Sequence, residues 1–386
     1  MEKQIRSYFL FVLMLACISV SRALPKFASR TGAKCQSCHV NPTGKGMRSE
    51  FGRNYGMEDL AMPTWREATD FEEFSVGITP NIDVGMDMRT LLFFNEQKGT
   101  SSFFQMQGDL YFDIRLNKKV RLYLDKGLYN GFEAFALAKV LPYDGYVKVG
   151  KFMPAYGTRT DDHNAFIRGG PYGGGPFVAQ FAPLSVAGYP TGLRFGERSE
   201  DTGLELGFAP GAFTLNVGMF NGTPGAGLTG VTATRNKAVV VRGDATVKFS
   251  STNVTVGGSV YYAPSATDKH TYTGAFGAIS FLESYTLTSE VDLVKVEDNA
   301  SGKATNGMIV WNEINAVVTQ GIDIKIGYEF YDPDLDITNG SFTRALVGAE
   351  IFLLSGVEFR PLYRINLEEP TDVSNNEFQA MLHLYF

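Results

Sequence analysis

The sequence predicts an all-β fold, a transmembrane antiparallel β-barrel preceded by a small N-terminal segment of different character. Three observations predict it. From about residue 71 onward, apolar and polar side chains alternate strictly over runs of 9–13 residues, separated by Gly, Asn, Asp, Pro and Ser clusters. Those runs exceed the roughly five or six residues of a globular strand and match the about 9–11 tilted residues that cross an outer membrane. The polar face of each run carries Asp, Glu, Lys or Arg, which a water-filled lumen accepts and a sandwich core does not. Mean hydropathy is −0.07, as expected when every second residue of a strand faces lipid.

Residues 1–23 read as a secretory signal. Lys3 and Arg6 precede an apolar run from Tyr8 to Val20, and Ser21-Arg22-Ala23 forms a small-x-small cleavage site. The run is too short to span a membrane. Cys17, after Met14-Leu15-Ala16, offers a poorly matched lipoprotein alternative. Cleavage at Ala23 leaves two of the three cysteines. It also removes three Lys/Arg and one Glu, taking the formal charge from −6 to −8.

Residues 24–65 form the next unit. The segment is polar, with glycines at 32, 44, 46, 52 and 56, and contains Cys35-Gln36-Ser37-Cys38-His39. Cys-x-x-Cys-His is the attachment signature of c-type haem: two thiols add to the vinyl groups and the adjacent His39 coordinates the iron. Zinc would need two further Cys or His ligands, and none lie between residues 24 and 162. A thioredoxin-like pair would sit at a strand–helix junction of an α/β domain, which this surrounding lacks. One haem c, held by Cys35 and Cys38, is therefore expected.

The sixth iron position is open to several side chains. No second His precedes His163, so Met57 is preferred, with Met62 and Met47 as alternatives. Some forty residues with few apolar side chains do not build a self-sufficient core. The segment is therefore expected to pack in or against the periplasmic mouth of the barrel. Alternation of Phe378, Ala380, Leu382, Leu384 and Phe386 toward lipid turns His383 and Tyr385 into the lumen, about 10 Å from the strand end for His383. His383 is thus a further alternative for the sixth ligand.

Residues 66–386 carry the barrel. Runs begin near 82, 103, 119, 131, 145, 189, 201, 212, 237, 252, 271, 285, 307, 321, 342, 356 and 377, seventeen in all. Single-chain bacterial barrels have even strand numbers. Either the run at 119 is not a separate strand, or Phe177–Leu184 is an additional one; chain length favours 16 strands, with 18 as the alternative. Short turns at 117–119, 210–212, 250–252, 282–284, 319–321 and 354–356 should be periplasmic, and the stretches 221–236, 263–270, 297–306, 332–341 and 367–376 should face outward. The longest connection, 154–188, is rich in glycine and carries Arg159, Asp161, Asp162, His163 and Arg168. It either folds into the lumen as a constriction or stays exposed. The terminal Leu384-Tyr385-Phe386 is the usual ending of outer-membrane barrels.

Phe27-Ala28-Ser29-Arg30-Thr31-Gly32-Ala33-Lys34 leading into the haem motif, with Phe51-Gly52-Arg53 behind it, resembles the fused monohaem cytochrome–porins of the outer membrane, best known as iron oxidases. Val149-Gly150-Lys151-Phe152-Met153-Pro154-Ala155-Tyr156-Gly157 more weakly resembles the phosphate-selective porins. The first resemblance implies haem c, an outer-membrane location and electron uptake from an outside donor, Fe(II) foremost. Electrons would pass to a periplasmic carrier. One haem cannot cross an apolar band about 25 Å tall, whereas a pore lets a small hydrated donor reach it. Two other roles remain open: a porin with a haem-bearing plug, and a conduit to an extracellular cytochrome partner. No catalytic triad, phosphate loop or nucleic-acid-binding stretch appears.

Overall fold

The computed structural model describes residues 26–64, 76–127, 131–170, 192–196, 199–224, 236–372 and 374–386. The expected signal at 1–23, Cys17 and Phe177–Leu184 lie outside them. The barrel has sixteen strands: β2 (Ile82–Asn95), β3 (Thr100–Arg115), β4 (Val120–Gly127), β5 (Phe132–Leu141), β6 (Gly145–Phe152), β7 (Asp201–Phe208), β8 (Phe213–Phe220), β9 (Ala238–Phe249), β10 (Thr252–Pro264), β11 (Asp268–Phe281), β12 (Tyr285–Asp298), β13 (Ala304–Thr319), β14 (Ile322–Asp332), β15 (Phe342–Leu354), β16 (Val357–Glu368) and β17 (Glu377–Tyr385). A three-residue strand β1 (Gly77–Thr79) precedes them and pairs with β2. Each barrel strand pairs antiparallel with its sequence neighbours, and β17 closes on β2 from Tyr385↔Asp87 to Glu377↔Asn95. A closed ladder leaves no edge and no place for another strand.

The strand count corrects the sequence reading in one place. Val120–Gly127 is a separate strand, β4. The surplus run is the one near 189: its described part, 192–196, joins no strand. There Leu193 and Phe195 are buried, and Phe195 stacks on Tyr156 at 4.4 Å. The alternation is real, but it serves packing inside the lumen.

Turn lengths sort as expected at one end. The connections after β3, β5, β7, β9, β11, β13 and β15 are all short, and both ends of the barrel chain lie with them. At the other end, the connections within 263–270 and 297–306 are shorter than expected, only 265–267 and 299–303 lying between strands. Strand β10 runs to Pro264 and β11 starts at Asp268, while β12 reaches Asp298 and β13 starts at Ala304. These hairpins continue as polar ladders, with Lys269 reaching Glu297 at 2.7 Å across β11 and β12.

Period-two alternation governs the wall. In β17, Phe378 and Leu382 are exposed on the outer, apolar face, while Gln379, Met381, His383 and Tyr385 are buried inside. The inner face is buried because the lumen is filled. The N-terminal segment enters from the short-turn end as three short helices, α1 (Lys26–Thr31), α2 (Cys35–Cys38) and α3 (Glu50–Tyr55). Its Val40 and Met47 join one hydrophobic cluster with Tyr111, Tyr123, Phe135 and Phe166. The wall thus supplies the core that the segment lacks.

Polar contacts fix the segment. Arg30 Nη1 meets Asp323 at 2.6 Å, Lys26 pairs with Glu350, and Lys34 Nζ donates to the Ala209 carbonyl at 2.6 Å. Asn253 donates to the Ser29 carbonyl at 2.8 Å, and Gln320 to that of Glu58 at 2.7 Å. Arg48 lies over the Tyr385 ring at 3.7 Å. Removing one partner of a buried pair costs about 3–5 kcal/mol, because the other charge is stranded. Arg30→Ala should therefore expose the segment to trypsin, with cleavage at Lys34, Lys45 or Arg48 faster by at least about tenfold. Peptide mass spectrometry on the detergent-solubilised protein reads this, and an unchanged rate means that the pair does not hold the segment.

Candidate functional site

The Cys-x-x-Cys-His run forms one helical turn, with the His39 N–H donating to the Cys35 carbonyl at 2.9 Å. Beyond it, Gly44, Lys45 and Gly46 have φ of 85°, 71° and 66°, a left-handed passage that folds the chain back so that His39 bridges Arg48. Gly46 has no freedom to change: a Cβ there would stand 2.1 Å from Tyr123 Oη. A Cβ on Gly52 would meet the Cys38 carbonyl oxygen at 2.2 Å, so α3 lies directly on the Cys-x-x-Cys-His turn. Ser49 caps α3, its Oγ accepting from the Gly52 N–H at 3.2 Å.

Neither Cys35 nor Cys38 is joined in a disulfide. Burial pushes the Cys38 thiol up to about 11 and raises Cys35 as well. Burial, with Arg48 adding to it, pulls His39 down to about 4. The imidazole is therefore neutral at neutral pH, the form that ligates metals. Its Nδ1 is buried without a hydrogen-bond partner.

Cys35, Cys38 and His39 line one side of a cavity of about 240 Å³. Phe27, Leu60, Trp311 and Phe352 contribute apolar wall, and Lys45, Arg48 and Arg159 contribute positive charge. Two thiols outside any disulfide beside a neutral imidazole, apolar walls, and cations suited to propionate carboxylates all fit a covalent haem.

The opposite side of the cavity comes from the loop after β6. Residues 154–170 fold into the lumen, as one of the two alternatives has it; residues 171–188 lie outside the described residues. Asp162 meets Arg364 Nη2 at 2.6 Å, and Asp161 meets Arg89 Nη2 at 2.9 Å and pairs with Arg360. Glu329 accepts from the Phe166 N–H at 2.7 Å, and Tyr156 donates to Asp292 at 2.7 Å. Loop and segment touch where Arg159 donates to the Gly44 carbonyl at 3.3 Å.

The cavity wall includes Met153, His163 and His383 but not Met47, Met57 or Met62. Met47 is buried toward β2 and β4, its N–H donating to Tyr123 Oη at 3.0 Å. Met62 packs on Gly321 in the β13–β14 turn. Met57 lies on the single π-turn Gly56–Leu60, half-buried. His383 stands in the wall as strand parity predicts, with Nδ1 2.9 Å from Glu358 Oε2. From the sequence, His163 is read only as a residue of the longest connection and Met153 only as part of the strand-to-loop passage before it, neither as a candidate iron ligand.

Solved structures similar to this one include outer-membrane proteins and porins. OmpT of Vibrio cholerae, as expressed in the outer membrane, superposes with a TM-score of 0.55 at 13% identity, covering 81% of this chain and 100% of that one. OprB of Pseudomonas putida gives 0.53 at 12%, covering 79% and 94%. An anion-selective porin from Comamonas acidovorans gives 0.52 at 10%, covering 79% and 99%. No protein-family model matches the chain, and no curated protein matches it either. The protein has the porin-type barrel fold of outer-membrane proteins.

Breaking the loop's anchors should widen the passage. Asp162→Asn with Glu329→Gln removes the loop's carboxylate from Arg364 and the wall's from Arg344 and the Phe166 N–H, and single-channel conductance in planar bilayers should rise. Conductance equal to the wild type would mean that residues 154–170 do not set the bore.

Proposed function

We propose that this chain is an outer-membrane electron-transfer protein. It takes electrons from a small hydrated donor entering the pore, Fe(II) foremost, and delivers them through a single haem c to a periplasmic carrier. The observation that carries this reading is the shared cavity: Cys35, Cys38 and His39 form one wall of the same space that the lumen loop and strands β2, β16 and β17 close from the other side. On this reading a donor small enough to pass the lumen loop reaches the haem-attachment turn without crossing lipid. Bound there, the haem would supply a one-electron redox couple.

The chain's own residues do the rest. Cys35 and Cys38 hold the group covalently and His39 offers a neutral imidazole. Tyr123, Lys148 and Asn253 hold the segment that carries them. The loop at 154–170 narrows the approach, so donors are selected by size. The short-turn end corresponds to the periplasmic side on this reading, which leaves the outer face of α3 toward a carrier. The sixth ligand remains a proposal: Met57 comes from the sequence, whereas Met153, His163 and His383 face the cavity.

A second reading, a porin whose plug bears a haem, draws on the barrel fold itself. Stopped-flow mixing of the purified holoprotein with Fe(II) separates the two. Haem reduction seen by absorbance within the mixing experiment supports electron transfer. Reduction absent with Fe(II), together with solute flux indifferent to haem redox state, would leave the channel reading. Reduction only by a reduced multihaem partner would point to the conduit. Cys35→Ala with Cys38→Ala should abolish the haem-stained band while the barrel still inserts; a full band in that variant would overturn the attachment site.

A further inference from the structure

Where strands β16, β17 and β2 meet, the register gathers a second group of ligating side chains. Glu358 is directly opposite His383, and His383 directly opposite Arg89, with Asp87 one inward-facing position along β2. The lumen loop lowers Asp161 onto the same spot. Ligand atoms of Asp161, Glu358 and His383 all lie within 4.8 Å of one another. We infer that Asp161, Glu358 and His383 form a binding site for a divalent transition-metal ion in the wall of the haem cavity. This rests on the electron-transfer reading and names the place where its cationic donor is held.

A buried imidazole stands within this group. His383 is 2% exposed, its Nδ1 faces Glu358 Oε2 at 2.9 Å and its Nε2 faces Asp87 Oδ1 at 3.1 Å. Nδ1 is thus the nitrogen on the Glu358 side of the site, and Asp87 orients the ring through Nε2, as an outer carboxylate does for a ligating imidazole. An imidazole among carboxylates suits Fe, Zn or Ni better than Mg or Ca. Donors bonded at about 2.1 Å to one ion stand at most about 4.2 Å apart, so a small inward shift of Asp161 completes the site. Asp161 is the member able to move, since it sits on the loop with its side chain 47% exposed.

Charge sets the strength. Asp87, Asp161 and Glu358 bring three negative charges against the two of Arg89 and Arg360, which also hold Asp161. The net single negative charge attracts a cation, and the guanidinium pair keeps the affinity modest, as a transient donor requires. On this reading the bound ion loses one electron, Fe(II) becoming Fe(III), and ferric haem iron becomes ferrous. No bond to the protein is formed or broken in that transfer.

The test uses Mn(II), which occupies such a site without reducing haem, titrated into the full-length holoprotein in detergent and followed by loss of the free Mn(II) EPR signal. One site should appear. His383→Gln and Glu358→Gln should each weaken it by at least about tenfold. Asp161→Asn, on the exposed loop position where folding is least at risk, should do the same. Asp113→Asn, a lumen carboxylate paired instead with Arg115 and Arg121, should leave affinity within about twofold of wild type. Absence of Mn(II) binding to the wild type, or equal losses in Asp161→Asn and Asp113→Asn, would overturn the site. Fe(II) reducing the haem equally fast in wild type and all three cluster variants would also overturn it, yet leave the electron-transfer reading standing. Mn(II) binding of the expected pattern with no reduction by Fe(II) would support the site and sink that reading.

Discussion

Charge compensation inside the barrel is the constraint on which the rest depends. Alternation turns half of each strand inward, and this sequence puts Asp, Glu, Lys and Arg on that face. A charge stranded in a filled lumen is costly. The two inserts supply the opposite signs from opposite ends. The N-terminal segment brings Lys26 and Arg30 to Glu350 and Asp323, and the loop brings Asp161 and Asp162 to Arg360 and Arg364. Wall and inserts are each incomplete without the other.

The two inserts also define the cavity, because they meet without filling the space between them. Arg159 and Gly44 make the contact, and the left-handed turn at Gly44-Lys45-Gly46 presents the carbonyl for it. The cavity is therefore a property of neither part. It arises where a polar, glycine-rich segment too poor in apolar residues to close on itself faces a loop held down by strand side chains.

The barrel was legible because its period of two is a purely local signal. Strand faces, short turns and the inward direction of His383 and Tyr385 all follow from parity in one run. The surplus run near 189 misled for a physical reason: Leu193 and Phe195 alternate with polar neighbours to pack inside the lumen, and alternation does not say which surface rewards it. The reach of β11 and β12 beyond the expected loops was hidden likewise, since polar hairpin ladders such as Lys269–Glu297 carry no apolar face. Within the site, Cys35, Cys38 and His39 announce themselves by spacing. Met153 and His163 do not, because only the folding of residues 153–170 across the lumen brings them to the cavity. Glu358 and Asp87 become neighbours of His383 through strand register, which one sequence does not disclose.

The barrel closes where its last strand meets its first, and that seam runs through the lumen cluster. Asp87 and Arg89 belong to β2, His383 and Tyr385 to β17, and Arg48 of the N-terminal segment rests on Tyr385. These groups are some three hundred residues apart along the chain and become neighbours only on closure. A half-zipped barrel has neither the cluster nor the floor on which Arg48 sits. Closure of the wall and completion of this end of the cavity are thereby one and the same event.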